Sequence, residues 1–415
     1  MTGSLNILLL YPTAVLTVET VFLAIALVLL LPISVLFIEC SAALLSNKSF
    51  TWDTQFSRPR IAVLVPAHNE AAGINQTLQT LLPQLTQQDR LIVIADNCDD
   101  STATVSQAAG ATVIERQEPD RRGKGYALDY GLQFLASDPP DVVVVIDADC
   151  TVHSDAVSQI ACLAAAKTRP VQANYLLASP VRPSAKEAVS LLAFTVKNFV
   201  RPVGLHQLNL PCLLTGTGMA FPWTVIRAAT LASSNIVEDM QLALDLSIAG
   251  YPPIFCSTAR VTGQIPQQQH AAKNQRTRWE HGHIQTLLTQ VPQLIEASIH
   301  QKRFDLLAIA LDLCVPPLSL LVILWAFATG SALLAAHLLS SSSALISLLG
   351  IEGLLIFLAI FVAWFKFSRT DLPIRTLLGI PLYILWKLPL YLAFLVQPQK
   401  KWIRTERDVI DTSES

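Results

Sequence analysis

The uneven placement of apolar residues constrains this chain more than any other feature. Val15–Ile38 is a run of 24 residues without Lys or Arg, interrupted only near its start by one acidic residue, Glu19. A bilayer core offers no water to backbone N–H and C=O groups, so such a run settles as a helix, and about 20 apolar residues span the core. A signal peptide is the competing reading, but the run has no basic flank before it and no clear small-residue cleavage site after it. Positive charge follows the run at Lys48, Arg58 and Arg60 and is missing before it. The positive-inside rule then puts the amino terminus outside and the next domain in the cytosol.

The pattern returns after Lys302 and Arg303. Leu306–Ala328 and Ala344–Phe365 are each long enough to cross, with Ser341–Ser343 just before the second. Thr376–Val396 is also long enough, but it carries Pro381, Lys387 and Pro389. A simple crossing there would leave the basic tail (Lys400, Lys401, Arg404, Arg407) outside, against the charge rule. A re-entrant or interfacial path, or a further crossing around Ser331–Leu339, is favoured instead. Apolar residues make up 52% of the 415 and charged ones 14%, and the excess sits at these ends. Three parts are expected: an amino-terminal anchor (1–57), a cytosolic domain with interfacial helices (58–300), and a membrane domain with a basic tail (301–415). The location implied is the cytoplasmic membrane of a bacterium, with the chain integral to it. A formal charge of −2 gives no reason to expect nucleic acid as a partner. The seven cysteines show no CxxC pair and no ligand-like spacing, and are read as reduced thiols.

Between the apolar ends, Arg60 to about Tyr251 alternates short apolar runs with helical stretches. Ile61–Val65, Leu91–Ala95, Ala111–Glu115 and Val142–Ile146 read as strands, separated by helices near Ala72–Leu82, Ala103–Ala109 and Lys124–Leu135. Such alternation predicts an α/β domain with βαβ units and a mostly parallel sheet covered on both faces. No GxGxxG follows the first strand, which disfavours a dinucleotide fold, and Gly123-Lys124 lacks the rest of a P-loop. Lys186–His206 and Asn274–Ile299 are amphipathic, either lying on a membrane surface or packed as ordinary helices on the sheet.

Polar clusters follow these strands. Val65-Pro66-Ala67-His68-Asn69-Glu70 leaves the first strand, where Pro66 stops the ladder and the polar side chains face the ligand edge of an α/β sheet. Asp96, in Ala95-Asp96-Asn97-Cys98-Asp99-Asp100, can accept from a nucleobase or ribose, although Asx-rich loops are also plain turns. Arg121-Arg122-Gly123-Lys124-Gly125 offers cations beside glycines and suits a diphosphate, or is a solvated basic loop. Asp147 and Asp149, closing the run DVVVVIDADC, can share a hard divalent cation or cap the next element. Glu238-Asp239 opens a helical run and offers a general base, or complements a helix dipole. Gln275, Arg278 and Trp279 share one helical face suited to a nucleotide diphosphate.

In this order and spacing the clusters resemble the family 2 inverting glycosyltransferases of GT-A fold. The likeness is to the membrane-integrated branch that includes cellulose, hyaluronan and poly-N-acetylglucosamine synthases and ceramide glucosyltransferases. It covers roughly Pro59 to Gln285, and its specific marks are the DxD-type Asp147/Asp149, the ED-type Glu238-Asp239 and the QxxRW-type Gln275-Arg278-Trp279. The resemblance implies a nucleotide-sugar donor, UDP-linked, with Asp96 on the uracil or ribose. It implies Asp149 as ligand of Mg²⁺ or Mn²⁺, and Asp147 on the metal and on the sugar or nucleotide. Pro66, Glu70, Lys124, Gln275, Arg278 and Trp279 would complete the donor site. Asp239 would be the catalytic base. Gly216, Thr217 and Gly218, in Thr215-Gly216-Thr217-Gly218, would line the acceptor site with Glu238 and Trp279. Asn97 and Cys98 depart from the family's commoner DDGS wording.

The expected activity is transfer to a polysaccharide or glycolipid acceptor with inversion to a β bond, as in exopolysaccharide biosynthesis, alongside membrane lipids and other synthesis or export subunits. One rival adds a single sugar to a polyprenyl phosphate or other lipid. Another is a non-catalytic nucleotide-binding membrane sensor or transporter component.

Overall fold

All four apolar runs of the middle region form strands; three are buried along nearly their whole length, and Thr112–Arg116 is partly exposed at the edge of the sheet. The computed structural model describes residues 2–45, 57–180, 183–232, 237–264, 269–339 and 343–396. In chain order the first elements are α1 (Thr2–Leu44), β1 (Ile61–Ala67), α2 (Ile74–Leu81), β2 (Arg90–Asp96), α3 (Thr102–Ala108), β3 (Thr112–Arg116), α4 (Lys124–Leu135) and β4 (Val142–Val145). Next come β5 (Cys150–Val152), α5 (Ala156–Lys167), β6 (Val171–Leu177), α6 (Ala185–Thr195), α7 (Arg201–Gln207), β7 (Met219–Pro222), α8 (Trp223–Ile226), α9 (Glu238–Ile248) and β8 (Ile254–Gly263). The helices α10 (Gln269–Gln301), α11 (Phe304–Cys314), α12 (Leu318–Leu339), α13 (Ser343–Phe367) and α14 (Ile380–Val396) follow.

The sheet order is β3-β2-β1-β4-β7-β6-β8-β5. β1 to β4 are parallel, β7 runs antiparallel to β4 and β6, and β5 runs antiparallel to β8. Successive residues of β1 serve opposite cores. Ile61, Val63 and Val65 pack with Leu78 of α2 and Ile160 of α5. Ala62 and Leu64 pack with Leu128 and Leu132 of α4 and with Phe221. Because both faces are buried, the strand is apolar throughout instead of alternating. β2 and β4 flank β1 on opposite sides, so the loops after β1 and β4 diverge and open a crevice at the strands' carboxyl ends.

Outside the sheet, α1 presents a stripe of Ala26, Leu29, Ile33, Leu36, Cys40 and Ala43, spaced three or four apart, to α7, α12 and α13. Its other side, including Leu27 and Val28, is exposed. Among the described residues, five helical stretches are long and apolar enough to cross a membrane: Leu16–Leu44, Ala185–Gln207, Leu318–Leu338, Ala344–Phe367 and Ile374–Val396. The expected span Leu306–Ala328 is corrected. Pro316 and Pro317 cannot continue α11 and force Val315 to an extended backbone, so the apolar helix begins afresh at Leu318. Ser331–Leu339 is then the second half of α12 and no separate crossing. Lys48, the serines at 341 and 342 and the basic tail lie outside the described residues.

The stretch Ala185–Gln207 is a special case. Ser184 and Glu187 start it with a reciprocal capping box, a π-helical turn at Val196–Val200 separates α6 from α7, and Pro202 sits in the first turn of α7. It connects β6 to β7, and those strands pair, with Val171 opposite Ala220. A segment between two paired strands begins and ends on the same side of any membrane, so length and composition do not make this one a crossing. All seven cysteines are free thiols.

Candidate active site

The crevice at the end of β1 and β4 is the mouth of a cavity of about 350 Å³. Its walls carry Pro66, Glu70, Asp96, Lys124, Asp147, Asp149, Gly216, Glu238, Asp239, Gln275, Arg278 and Trp279. Residues spread over more than two hundred positions thus meet at one place. Thr217 and Gly218 do not line it. They stand behind the wall; Arg121 and Arg122 do not line it either, and are exposed on the loop before α4.

Asp96 ends β2 directly opposite Arg116 at the end of β3, and the Arg116 guanidinium donates to its Oδ1 at 2.6 Å. Burial outweighs this cation and the second donor, Asn97, and holds the Asp96 carboxyl above its ordinary range. Asn97 builds the turn. It adopts a left-handed φ of 52°, donates from its N–H to the Arg116 carbonyl at 2.7 Å, and accepts from the Glu118 N–H at 2.8 Å. That is why Asn stands where the family wording has a small residue. Arg116 itself gave no sequence signal, because a charged residue at a strand end is ordinary until its partner is known.

Lys124 opens α4 and reaches back over the strand ends. Its ammonium pairs with Asp147 and donates to the Gly216 carbonyl at 2.6 Å. Burial pulls its pKa down, but the carboxylates of Asp147 and Glu238 more than compensate and keep it a cation. The Asp147 N–H donates to Thr217 Oγ1 at 3.0 Å. Gln172 ties the segment down by donating to the Thr217 carbonyl and accepting from the Thr215 N–H, both at 2.9 Å. Gly216 and Gly218 both have positive φ, +89° and +66°. A Cβ on Gly216 would lie 3.3 Å from Asp239 Oδ2, and one on Gly218 would lie 2.9 Å from the Ala173 Cβ. The glycines therefore let this strand lead pass close under the candidate base.

Glu238 and Asp239 form the first turn of α9. Burial, then repulsion from Asp239, pushes the Glu238 carboxyl up to about 7. Burial also raises Asp239, against the opposing pull of Lys124 and of the N–H at Met240. Asp147, Asp149 and Cys150 place one donor atom each within 4.8 Å of one another. Two carboxylates suit a hard divalent cation. Cys150 is the softer neighbour, and burial and the two aspartates push its thiol well above the ordinary range. On the opposite wall Tyr175, Phe194 and Trp279 form an aromatic chain with centroids 5.6 and 5.8 Å apart.

Residues 59–282 match the model of the family described as "Glycosyltransferase like family 2". The chain is 25% identical to the "Probable glycosyltransferase YdaM" of Bacillus subtilis (strain 168) over 275 residues, covering 60% of this chain and 61% of that protein. It is 29% identical to the 4,4'-diaponeurosporenoate glycosyltransferase of Staphylococcus aureus (strain N315) over 123 residues, 28% of this chain and 32% of that one. The chain therefore spans about three fifths, or less, of these relatives' length. Among solved structures, the mannosyltransferase PcManGT of Pyrobaculum calidifontis, in complex with GDP-Man and Mn²⁺, superposes with a TM-score of 0.51 at 18% identity, over 83% of this chain and 99% of that one. That likeness gives the expected GT-A fold, a mostly parallel sheet with helices and apolar helices at the termini. With more than half its length matched by the family model, the chain belongs to glycosyltransferase-like family 2.

Proposed function

We propose that this chain transfers a sugar from a nucleoside-diphosphate donor, UDP-linked, to a glycan or glycolipid acceptor at the cytosolic face of a membrane. The observation that carries the reading is the meeting of Lys124, Asp147, Asp149, Glu238 and Asp239 around one cavity. Asp96 and Arg116 hold the base or ribose, while Lys124 and Arg278 face the diphosphate and Gln275 and Trp279 close over it. Asp149 and Asp147 would hold Mn²⁺ or Mg²⁺, as the Mn²⁺ in the similar mannosyltransferase suggests. Such a cation supplies positive charge to the departing diphosphate.

The chemistry is one displacement. Asp239 takes the proton from the acceptor hydroxyl as that oxygen attacks the anomeric carbon, and the bond to the diphosphate oxygen breaks on the opposite face. Inversion turns an α-linked donor into a β product. A carboxylate whose pKa is raised by burial is a stronger base than an ordinary one. Glu238 and Gly216 border the acceptor side. We take α1, α12 and α13 as the crossings around a domain of 58–300, with α14 on an interfacial path against α6 and α10.

The test is a donor screen on the full chain in membranes, reading nucleoside-diphosphate release and the mass of the product. Asp239→Asn should bind donor and fail to transfer, by on the order of 10²–10⁴-fold. Normal turnover by that variant would refute the assignment.

A further inference from the structure

The cavity does not end at the candidate base. Its lining also takes in Leu36 of α1, Phe194 of α6, Pro316 and Leu318 at the α11–α12 break and Tyr383 of α14, with the polar Asn198, Glu280 and Ser319 among them. Lys197, in the π-helical turn after α6, also lines this part.

Lys197 differs from the other cations buried nearby. Lys124 pairs with Asp147, Arg116 with Asp96, Lys387 with Glu280, and Arg201 with both Glu39 and Asp312. Lys197 makes no hydrogen bond or ion pair with any described residue, and the carboxylates whose fields reach it are Asp239, Glu280 and Asp312. A cation with no direct partner among apolar helices is expensive to keep and is by default a functional group.

We infer that this part of the cavity is the acceptor subsite, and that it takes an amphiphile that presents its accepting hydroxyl to Asp239, sets an oxyanion against Lys197 and lets its apolar tail leave between α6 and the α11–α12 break. The inference rests on the glycosyltransferase reading and narrows its acceptor. A long-chain carboxylate and a long-chain phosphate share the required chemistry. A neutral glycan could hydrogen-bond the ammonium but brings neither a charge to neutralise it nor an apolar tail for Leu36, Pro316 and Leu318. The alternative use of Lys197 is structural, with its charge serving only to hold Asp239 ionised for any acceptor.

The test uses the purified full chain and three probes, hexadecyl phosphate, palmitate and hexadecanol. Binding should be saturable for an anionic probe and at least tenfold weaker for hexadecanol. Lys197→Met should bring the anionic probe down to the hexadecanol level, and Lys197→Arg should restore it, with UDP binding in Mn²⁺ as the control for folding. Preference for hexadecyl phosphate or for palmitate identifies the head and supports the inference either way. Equal binding of all three probes by the wild type, or undiminished anionic binding by Lys197→Met, overturns it. Loss of the underlying transferase reading looks different: no nucleotide sugar would release its diphosphate, whatever the amphiphiles do.

Discussion

Glu280, the residue after Trp279, is held from two sides by the helix α14. The buried Lys387 ammonium donates to its Oε1, and the Tyr391 hydroxyl donates to its Oε2 at 2.5 Å. Ser319 joins the knot at 2.5 Å from the Tyr391 hydroxyl, and the neighbouring His281 meets the Leu390 carbonyl at 3.0 Å. The helix that carries Gln275, Arg278 and Trp279 over the cavity is therefore fixed by an apolar helix more than a hundred residues later in the chain.

Lys387→Met removes one partner and strands the other charge. Breaking a buried pair this way costs about 3–5 kcal/mol. The single variant should lose thermal stability and bind donor more weakly. The double variant Lys387→Met/Glu280→Gln, with no buried charge left, should recover most of the stability. If the double variant is no more stable than the single one, the ion pair is not what holds α10.

The pH dependence follows from the paired carboxylates of α9. Glu238 sits at about 7 and Asp239 is raised, so protons return to the pair as pH falls through neutrality. The kcat/KM for transfer should decline on that acid side. Glu238→Gln removes the like charge and should move the decline to lower pH. For stability the sign is opposite to the usual carboxylate: groups with raised folded-state values bind protons more tightly when folded, so the donor-free protein gains stability as pH falls from 8 towards 6. Thermal melts over that range, repeated on Glu238→Gln, check it. A wild-type midpoint that falls instead would contradict the burial of the pair.

Metal dependence should separate the two aspartates from their cysteine neighbour. Asp149→Ala is expected to abolish Mn²⁺-dependent UDP binding, and chelation should do the same to the wild type. Cys150→Ala should titrate like the wild type, because a hard cation prefers the two carboxylates to a thiol that burial holds high. Isothermal titration with UDP and Mn²⁺ measures all three. A tenfold loss of Mn²⁺ affinity in Cys150→Ala would make the thiol a ligand after all.

Gly218→Ala should cost about 1–3 kcal/mol, since the new methyl meets the Ala173 Cβ at 2.9 Å and Val261 Cγ2 at 3.0 Å on a backbone of φ +66°. Chemical denaturation reads the loss directly. Gly216→Ala meets the Asp239 carboxylate at 3.3 Å and Lys124 Nζ at 3.7 Å in the crevice and should reduce turnover more than stability.

The strands β1, β2 and β4 were legible because a strand covered on both faces is a continuous apolar run, the partly exposed edge strand β3 was legible from its short β-branched core, and α4 was read at its full extent, Lys124–Leu135. The antiparallel half of the sheet was not. β7 has four residues and β5 three, too short for any periodicity to emerge, and their partners are remote in sequence. Motif order was enough to bring Asp96, Asp147, Asp149, Asp239 and Trp279 to one cavity. Sequence could not reveal that Thr217 turns inward to hold the Asp147 backbone, or that Arg116 is the partner of Asp96, since both depend on strand register. The break at Pro316-Pro317 was visible as two letters, but a tally of apolar residues over Leu306–Ala328 does not weigh the missing backbone donors.

The pairing of β6 with β7 has a practical meaning for anyone handling this protein. Between these strands lies α6–α7, whose Ala188, Leu192, Val196, Val200 and Val203 pack in the same cluster as α1, α12 and α13. Trimming both termini would therefore not liberate a water-soluble catalytic fragment. The greasy insert stays stitched into the middle of the sheet, and a shortened version would still demand detergent.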